Sequence, residues 1–119
     1  MISKNVLISF IYALNGIKYT FKNSRNFKIQ ILFAFFSLIL GYILQLDTTD
    51  YLILLVTIFS VLILEILNTS IESLVDLVIK KNFSNLAKIA KDCSAGAVLL
   101  ASINSVITVS YTHLTLPTT

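Results

Sequence analysis

From Tyr51 to Ile79 the chain runs without a glycine or proline, and up to Leu64 it is apolar apart from Thr57 and Ser60. A run of that length is too long for a strand and long enough to cross a bilayer as one helix. Through its second half, Leu64-Glu65-Ile66-Leu67-Asn68-Thr69-Ser70-Ile71-Glu72-Ser73-Leu74-Val75-Asp76, the helix turns polar along one side. Glu65, Asn68, Glu72 and Asp76 are spaced i, i+3, i+7 and i+11, which at about 100° per residue places them within an arc of roughly 80° on one face. A carboxylate at the bilayer centre costs about 2.5 kcal/mol or more, so a stripe of three acids and an amide implies partners or a task. Carboxylate oxygens are hard ligands that suit Mg²⁺, which takes one or two of them and leaves its other positions to water and phosphates. The stripe therefore points toward phosphate chemistry. A purely structural alternative is polar glue between the helices of a bundle.

Composition places this helix in context. Charged residues make up 13 % of the 119 residues and hydrophobic ones 56 %, against about 25 % charged in soluble domains. The chain reads as a small membrane protein. Its single cysteine, Cys93, permits no internal disulfide and reads as a small buried apolar residue. The net charge of +3 comes from basic residues that flank apolar runs, which fits membrane topology and not nucleic acid. No compact apolar core with a small-residue cleavage site opens the chain, so no cleaved signal peptide is expected.

In order, about residues 5–21 read as an amphipathic surface helix, with Val6, Phe10, Leu14, Ile17 and Phe21 at spacings of three or four and Lys18 and Lys22 toward headgroups. Lys22-Asn23-Ser24-Arg25-Asn26-Phe27-Lys28 reads as a polar joint. The first span is expected over about 29–46, where Gln30, Ser37 and Gln45 interrupt an apolar run. Asp47-Thr48-Thr49-Asp50 reads as a tight acidic turn, with Tyr42 and Tyr51 as interface anchors. The second span covers about 51–79, and Lys80 and Lys81 mark its exit. Asn82-Phe83-Ser84-Asn85 reads as a loop with a possible cap, after which a helix from Leu86 leads into a third span over about 90–109. Small residues Ser94, Ala95, Gly96 and Ala97 there allow close helix contact.

Basic residues lie before the first span and after the second, while Asp47 and Asp50 lie between them. The positive-inside rule then puts the N-terminus and the second loop in the cytoplasm, so the stripe, the basic joint and Lys91-Asp92 meet at one interface. Residues 1–109 form one membrane domain. Residues 110–119 lose the apolar periodicity, end in Thr and Pro, and read as an atypical, non-native tail. His113, the chain's one histidine, has no second ligand nearby in the sequence and is assigned no role.

The motif E-x-x-N-x-x-x-E-x-x-x-D at Glu65–Asp76, followed by Ala90-Lys91-Asp92 and Ala95-Gly96-Ala97-Val98-Leu99, closely resembles the small prokaryotic diacylglycerol kinase family, which includes the undecaprenol kinases. The likeness extends upstream through Ala13-Leu14-Asn15-Gly16 and Asn23-Ser24-Arg25-Asn26-Phe27-Lys28-Ile29-Gln30, and covers about residues 8–109. The resemblance implies an all-α membrane protein, with three transmembrane helices and an N-terminal surface helix, assembled as a homotrimer in the bacterial cytoplasmic membrane. It also implies an ATP-dependent lipid kinase, transferring the γ-phosphate of Mg-ATP to the hydroxyl of undecaprenol or diacylglycerol, the upstream segment favouring undecaprenol. On that resemblance Glu65 is the general base for the lipid hydroxyl and Glu72 a Mg²⁺ ligand. Asn68 orients phosphate or metal, Asp76 lies toward the nucleotide, and Lys91 with Asp92 holds ATP. These roles suit phosphoryl transfer, which needs positioning and charge neutralisation but no covalent intermediate. One departure stands out: Ser24 occupies the position where the family usually carries a second metal-binding Glu. That motivates an alternative in which the chain is a catalytically impaired or regulatory membrane subunit of the same fold.

Overall fold

The computed structural model describes residues 2–80 and 84–114, and it is helical nearly throughout. Four helices follow one another: α1 (Ile2–Asn23), α2 (Arg25–Ile43), α3 (Thr48–Ile79) and α4 (Asn85–Leu114). Lys81, Asn82 and Phe83 of the expected loop, and Thr115–Thr119 of the expected tail, lie outside the described residues. Among the described residues, three helices, α2, α3 and α4, are long and apolar enough to cross a bilayer, with mean hydropathies of 1.6, 2.4 and 1.6 over 18-residue stretches. The chain is an integral membrane protein.

The helix ends differ from the sequence expectation in ways the capping chemistry explains. The joint is narrower than residues 22–28, because α1 runs to Asn23 and α2 begins at Arg25. Ser24 alone separates them: its backbone N–H donates to Thr20 O at 2.8 Å, and its Oγ accepts from Phe27 N at 3.1 Å, the usual N-cap bond. At the other end α2 stops at Ile43, short of residue 46. Leu46 N donates to Gly41 O at 3.0 Å and Gln45 N to Tyr42 O at 3.1 Å, which is the Schellman pattern with Gln45 in the left-handed position, at φ 58°. Asp47 belongs to α3 as its N-cap, its Oδ1 accepting from Asp50 N at 2.8 Å, so Thr48–Asp50 form the first helical turn. Ser84 caps α4, its Oγ accepting from Ala87 N at 3.4 Å. The helix then continues to Leu114, through the residues where the sequence loses its apolar periodicity.

Gln45 carries a Cβ where glycine is at ease. Replacing it by Gly should raise stability by about 0.5–1 kcal/mol, visible as a higher midpoint of thermal unfolding in detergent. A lowered midpoint would contradict this turn geometry.

Tyr51 does more than anchor at an interface. Its hydroxyl donates to Leu38 O at 2.6 Å, and its ring stands against Gly41, where an added Cβ would lie 3.3 Å from Tyr51 Cε2 and 3.0 Å from Leu46 Cδ1. Gly41 thus lets α3 fold back closely along α2. Tyr42, by contrast, is 79 % exposed.

The helices form a slab 57 × 43 × 20 Å, in which α3 packs most extensively on α4 and then on α2. The buried apolar residues follow that arrangement. Leu54, Ile58 and Val61 of α3, Val98 of α4 and Phe27 of α2 form the core, while most other large apolar side chains are exposed. In a membrane helix those side chains face lipid or neighbouring helices, so their exposure is no defect. α1 leaves Val6, Phe10, Leu14, Ile17 and Phe21 exposed and buries Thr20 near its C-terminal end.

Candidate functional site at the polar end of the helix pack

The stripe on α3 does form one face, and its two ends have different surroundings. Glu65 and Asn68 are buried, at 3 % and 8 % exposure, whereas Glu72 and Asp76 are exposed. Helical spacing alone puts them in register; the packing of α2 and α4 against α3 decides which are covered. Asn68 ties the stripe together. Its Nδ2 donates to Glu72 Oε1 at 2.8 Å and, more loosely, to Glu65 Oε2 at 3.4 Å. One amide so bridges two carboxylates a turn to either side of it, using the i, i+4 and i, i+3 neighbours of a helix. The Glu65 Oε1 atom faces α2 and accepts from Gln30 Nε2 at 3.5 Å. One turn on, Thr69 Oγ1 donates to the Glu65 carbonyl at 3.0 Å.

Two recesses meet at this pair. On one side is a polar recess of about 330 Å³, lined by Tyr19, Asn23 and Arg25 from the α1–α2 joint and by Glu72, Ser73 and Asp76 of α3. On the other is an apolar groove of about 590 Å³ between α2, α3 and α4, with Phe33, Ala34, Val61, Val98, Leu99 and Ser102 among its walls. Glu65 and Asn68 line both, as does Asn26. A carboxylate thus stands where a polar recess and an apolar groove adjoin.

Of the other residues singled out in the sequence, Lys91 and Asp92 separate. Lys91 Nζ pairs with Asp76 Oδ1 at 2.7 Å, bringing the start of α4 onto the outer end of the stripe. Asp92 turns to Lys88 at 2.7 Å, an exposed i, i+4 pair that contributes little to stability. Adjacent residues on a helix point about 100° apart, so the two cannot share one partner of this kind. Ser24 lines the polar recess with Glu72, while its Oγ is engaged in capping α2.

Among the described residues, no group of three or more His, Cys, Asp and Glu side chains could hold a metal by itself. The donor set still fits Mg²⁺ held jointly with phosphates, which needs one or two protein carboxylates. Glu72 and Asp76 supply those on the wall of the polar recess, and Asn68 Oδ1 is a buried oxygen without a partner.

Gln30, Asn26 and Arg25 carry no role in the sequence expectation. A signal for two of them was present: Asn26, Gln30 and Ser37 are spaced i, i+4 and i+11, a polar line along one face of α2, and all three line the groove.

A family model described as prokaryotic diacylglycerol kinase matches residues 11–112. A Synechocystis protein named diacylglycerol kinase is 44 % identical over 106 residues, which span 89 % of this chain and 61 % of that relative. The undecaprenol kinase of Bacillus subtilis is 39 % identical over 99 residues, 83 % of this chain and 80 % of its own length. The diacylglycerol kinase of Escherichia coli K12 is 31 % identical over 97 residues, 82 % and 79 % of the two chains.

Proposed function

The chain belongs to the prokaryotic diacylglycerol kinase family, and we propose that it transfers the γ-phosphate of ATP, with Mg²⁺, to the hydroxyl of a membrane lipid, undecaprenol or diacylglycerol. The observation that carries the reading is the place of Glu65 and Asn68 on the shared wall of a polar recess and an apolar groove. A nucleotide approaches from water and a lipid alcohol from the bilayer, and their reacting atoms have to meet at such a boundary.

In this reading the lipid tail occupies the groove between α2, α3 and α4, and its hydroxyl reaches Glu65. The Glu65 carboxylate accepts the hydroxyl proton, the role of a positioned general base, as the lipid oxygen attacks the γ-phosphorus and the bond from that phosphorus to the β–γ bridging oxygen breaks to release ADP. Asn68 keeps that carboxylate and Glu72 in fixed relation. Arg25, in the polar recess, faces the phosphates. Lys91 draws α4 to Asp76 and adds positive charge at the nucleotide side, with Asp92 on the next helical position. Glu72 and Asp76 would hold Mg²⁺ together with the phosphates, and the ion would neutralise charge on the transferring group. Ser24 contributes a hydroxyl to the same recess, where it hydrogen-bonds but adds no charge. α1 lies on the cytoplasmic membrane surface with its apolar residues in the lipid boundary, the N-terminus is cytoplasmic, and the chain works as a homotrimer in the bacterial inner membrane. The basic residues before α2 and after α3, and the exposed apolar faces of the helices, support that arrangement.

The test is phosphate transfer from radiolabelled ATP in mixed micelles holding undecaprenol or dioleoylglycerol, with Mg²⁺ and with EDTA. Labelled lipid that forms with Mg²⁺ and falls to background with EDTA is expected. A folded protein that labels neither lipid would instead favour the impaired or regulatory reading, for which the neutral Ser24 in the recess is the motivating feature.

A further inference from the structure

Three residues stand on the walls of both the polar recess and the apolar groove: Glu65 and Asn68 of α3, and Asn26 of α2. The first two are committed to each other and to their neighbours. Asn68 Nδ2 spends its hydrogens on Glu72 Oε1 at 2.8 Å and Glu65 Oε2 at 3.4 Å, and Glu65 also accepts from Gln30 at 3.5 Å. Asn26 is exposed and is a partner of neither carboxylate, so its side-chain N–H groups stand ready to donate at the junction. Its place is fixed by the residues beside it. Ser24 caps α2 by accepting from Phe27 N at 3.1 Å, and the Phe27 side chain is held in the core at 3 % exposure. Asn26 lies between these two anchors, second in the first turn of α2.

The same junction is rich in negative charge. Glu65, Glu72 and Asp76 all line the recess, and a phosphoryl group in transfer spreads negative charge of its own over three oxygens. A donor held in place beforehand stabilises that charge as it develops, without having to reorganise during the reaction. We propose that Asn26 is a further catalytic residue, its side-chain amide donating to a non-bridging oxygen of the γ-phosphoryl group as that group passes from nucleotide to lipid. This rests on the lipid-kinase reading above and deepens it. In the step, the bond from the lipid oxygen to the γ-phosphorus forms and the bond from that phosphorus to the β–γ bridging oxygen breaks. ADP leaves, the hydroxyl proton goes to Glu65, and the Asn26 amide gives up no proton. Standing on both walls is what this role requires, because the moving group starts in the recess and ends on a lipid in the groove.

The test measures kcat, both KM values and the thermal midpoint in detergent for the full-length protein and two variants, with Mg-ATP and whichever of undecaprenol and dioleoylglycerol the unaltered chain phosphorylates faster. Asn26→Ala removes the donor and should lower kcat by about 10²-fold, with the KM for ATP and for the lipid each within about twofold, since the bond is made in the transition state. Asn26→Asp keeps the shape of the side chain but replaces its donors by a negative charge, so kcat should fall at least as far. An acid in the first turn of a helix is favourable, and the thermal midpoint of Asn26→Asp should therefore hold or rise while its activity falls. That divergence is what a role in starting α2 would not produce. A kcat within about twofold of the unaltered protein in either variant, a loss confined to one KM, or a kcat that falls only alongside the thermal midpoint in both variants would each overturn the inference while leaving the kinase reading in place. Transfer to neither lipid by the folded, unaltered protein would overturn the kinase reading and this inference with it.

Discussion

Glu65→Gln is expected to lower kcat by 10²–10⁴-fold, the range that a positioned general base supplies, with helix content and oligomeric state unchanged. The substitution is nearly isosteric, and the new amide oxygen can still accept from Gln30 or Asn68, which now bond to the carboxylate at 3.5 and 3.4 Å. What it loses is the capacity to take a proton. Because Glu65 is 3 % exposed and lines the groove, no neighbouring carboxylate replaces it there: Glu72 and Asp76 lie in the polar recess. The KM for ATP should stay within about twofold, since binding of the nucleotide does not depend on the base. Near-normal turnover by Glu65→Gln would remove Glu65 from the chemistry.

Asn68→Leu should affect both activity and stability. Its Nδ2 is the donor shared by Glu65 and Glu72; without it a buried carboxylate loses a hydrogen bond, at a cost of about 1–3 kcal/mol. The two carboxylates also lose their fixed relation, and misplacement by about 1 Å can cost 10²-fold in rate. A fall in kcat of about 10² together with a lower thermal midpoint in detergent is therefore expected. Asn68→Asp should be no milder, because it sets a third negative charge among the two already present. Unchanged kcat in Asn68→Leu would mean that the bridge matters only for folding.

The stripe was legible because helical periodicity alone fixes it: Glu65, Asn68, Glu72 and Asp76 share a face whatever packs against them. Which of the four is buried was not legible, because that depends on how α2 and α4 lie on α3. The pairing of Lys91 with Asp76 is of the same kind. The two residues belong to different helices, and no spacing rule reaches across the connection between them. The pairing of Lys88 with Asp92, at i, i+4, is within reach of helical spacing. Helix ends followed capping chemistry more than composition. Ser24 and Asp47 are ordinary caps that shortened the expected joint and absorbed the expected turn, whereas Gln45 at φ 58° gives no sequence cue, since Gly or Asn is the usual occupant of that position. Gln30 takes no role from the sequence, because a polar residue in an apolar run gains its meaning only once its neighbour across the helix contact is known to be a carboxylate.

Whether one site receives a nucleotide from the polar side and a lipid from the apolar side is decided by the KM values for both substrates in two variants. Arg25→Ala removes a cation from the polar recess, and Ser102→Phe fills part of the groove. Arg25→Ala should raise the KM for ATP by about tenfold with little change for the lipid, and Ser102→Phe should do the reverse. Two variants that shift the same KM, or a groove filled without effect on the lipid, would contradict such a site.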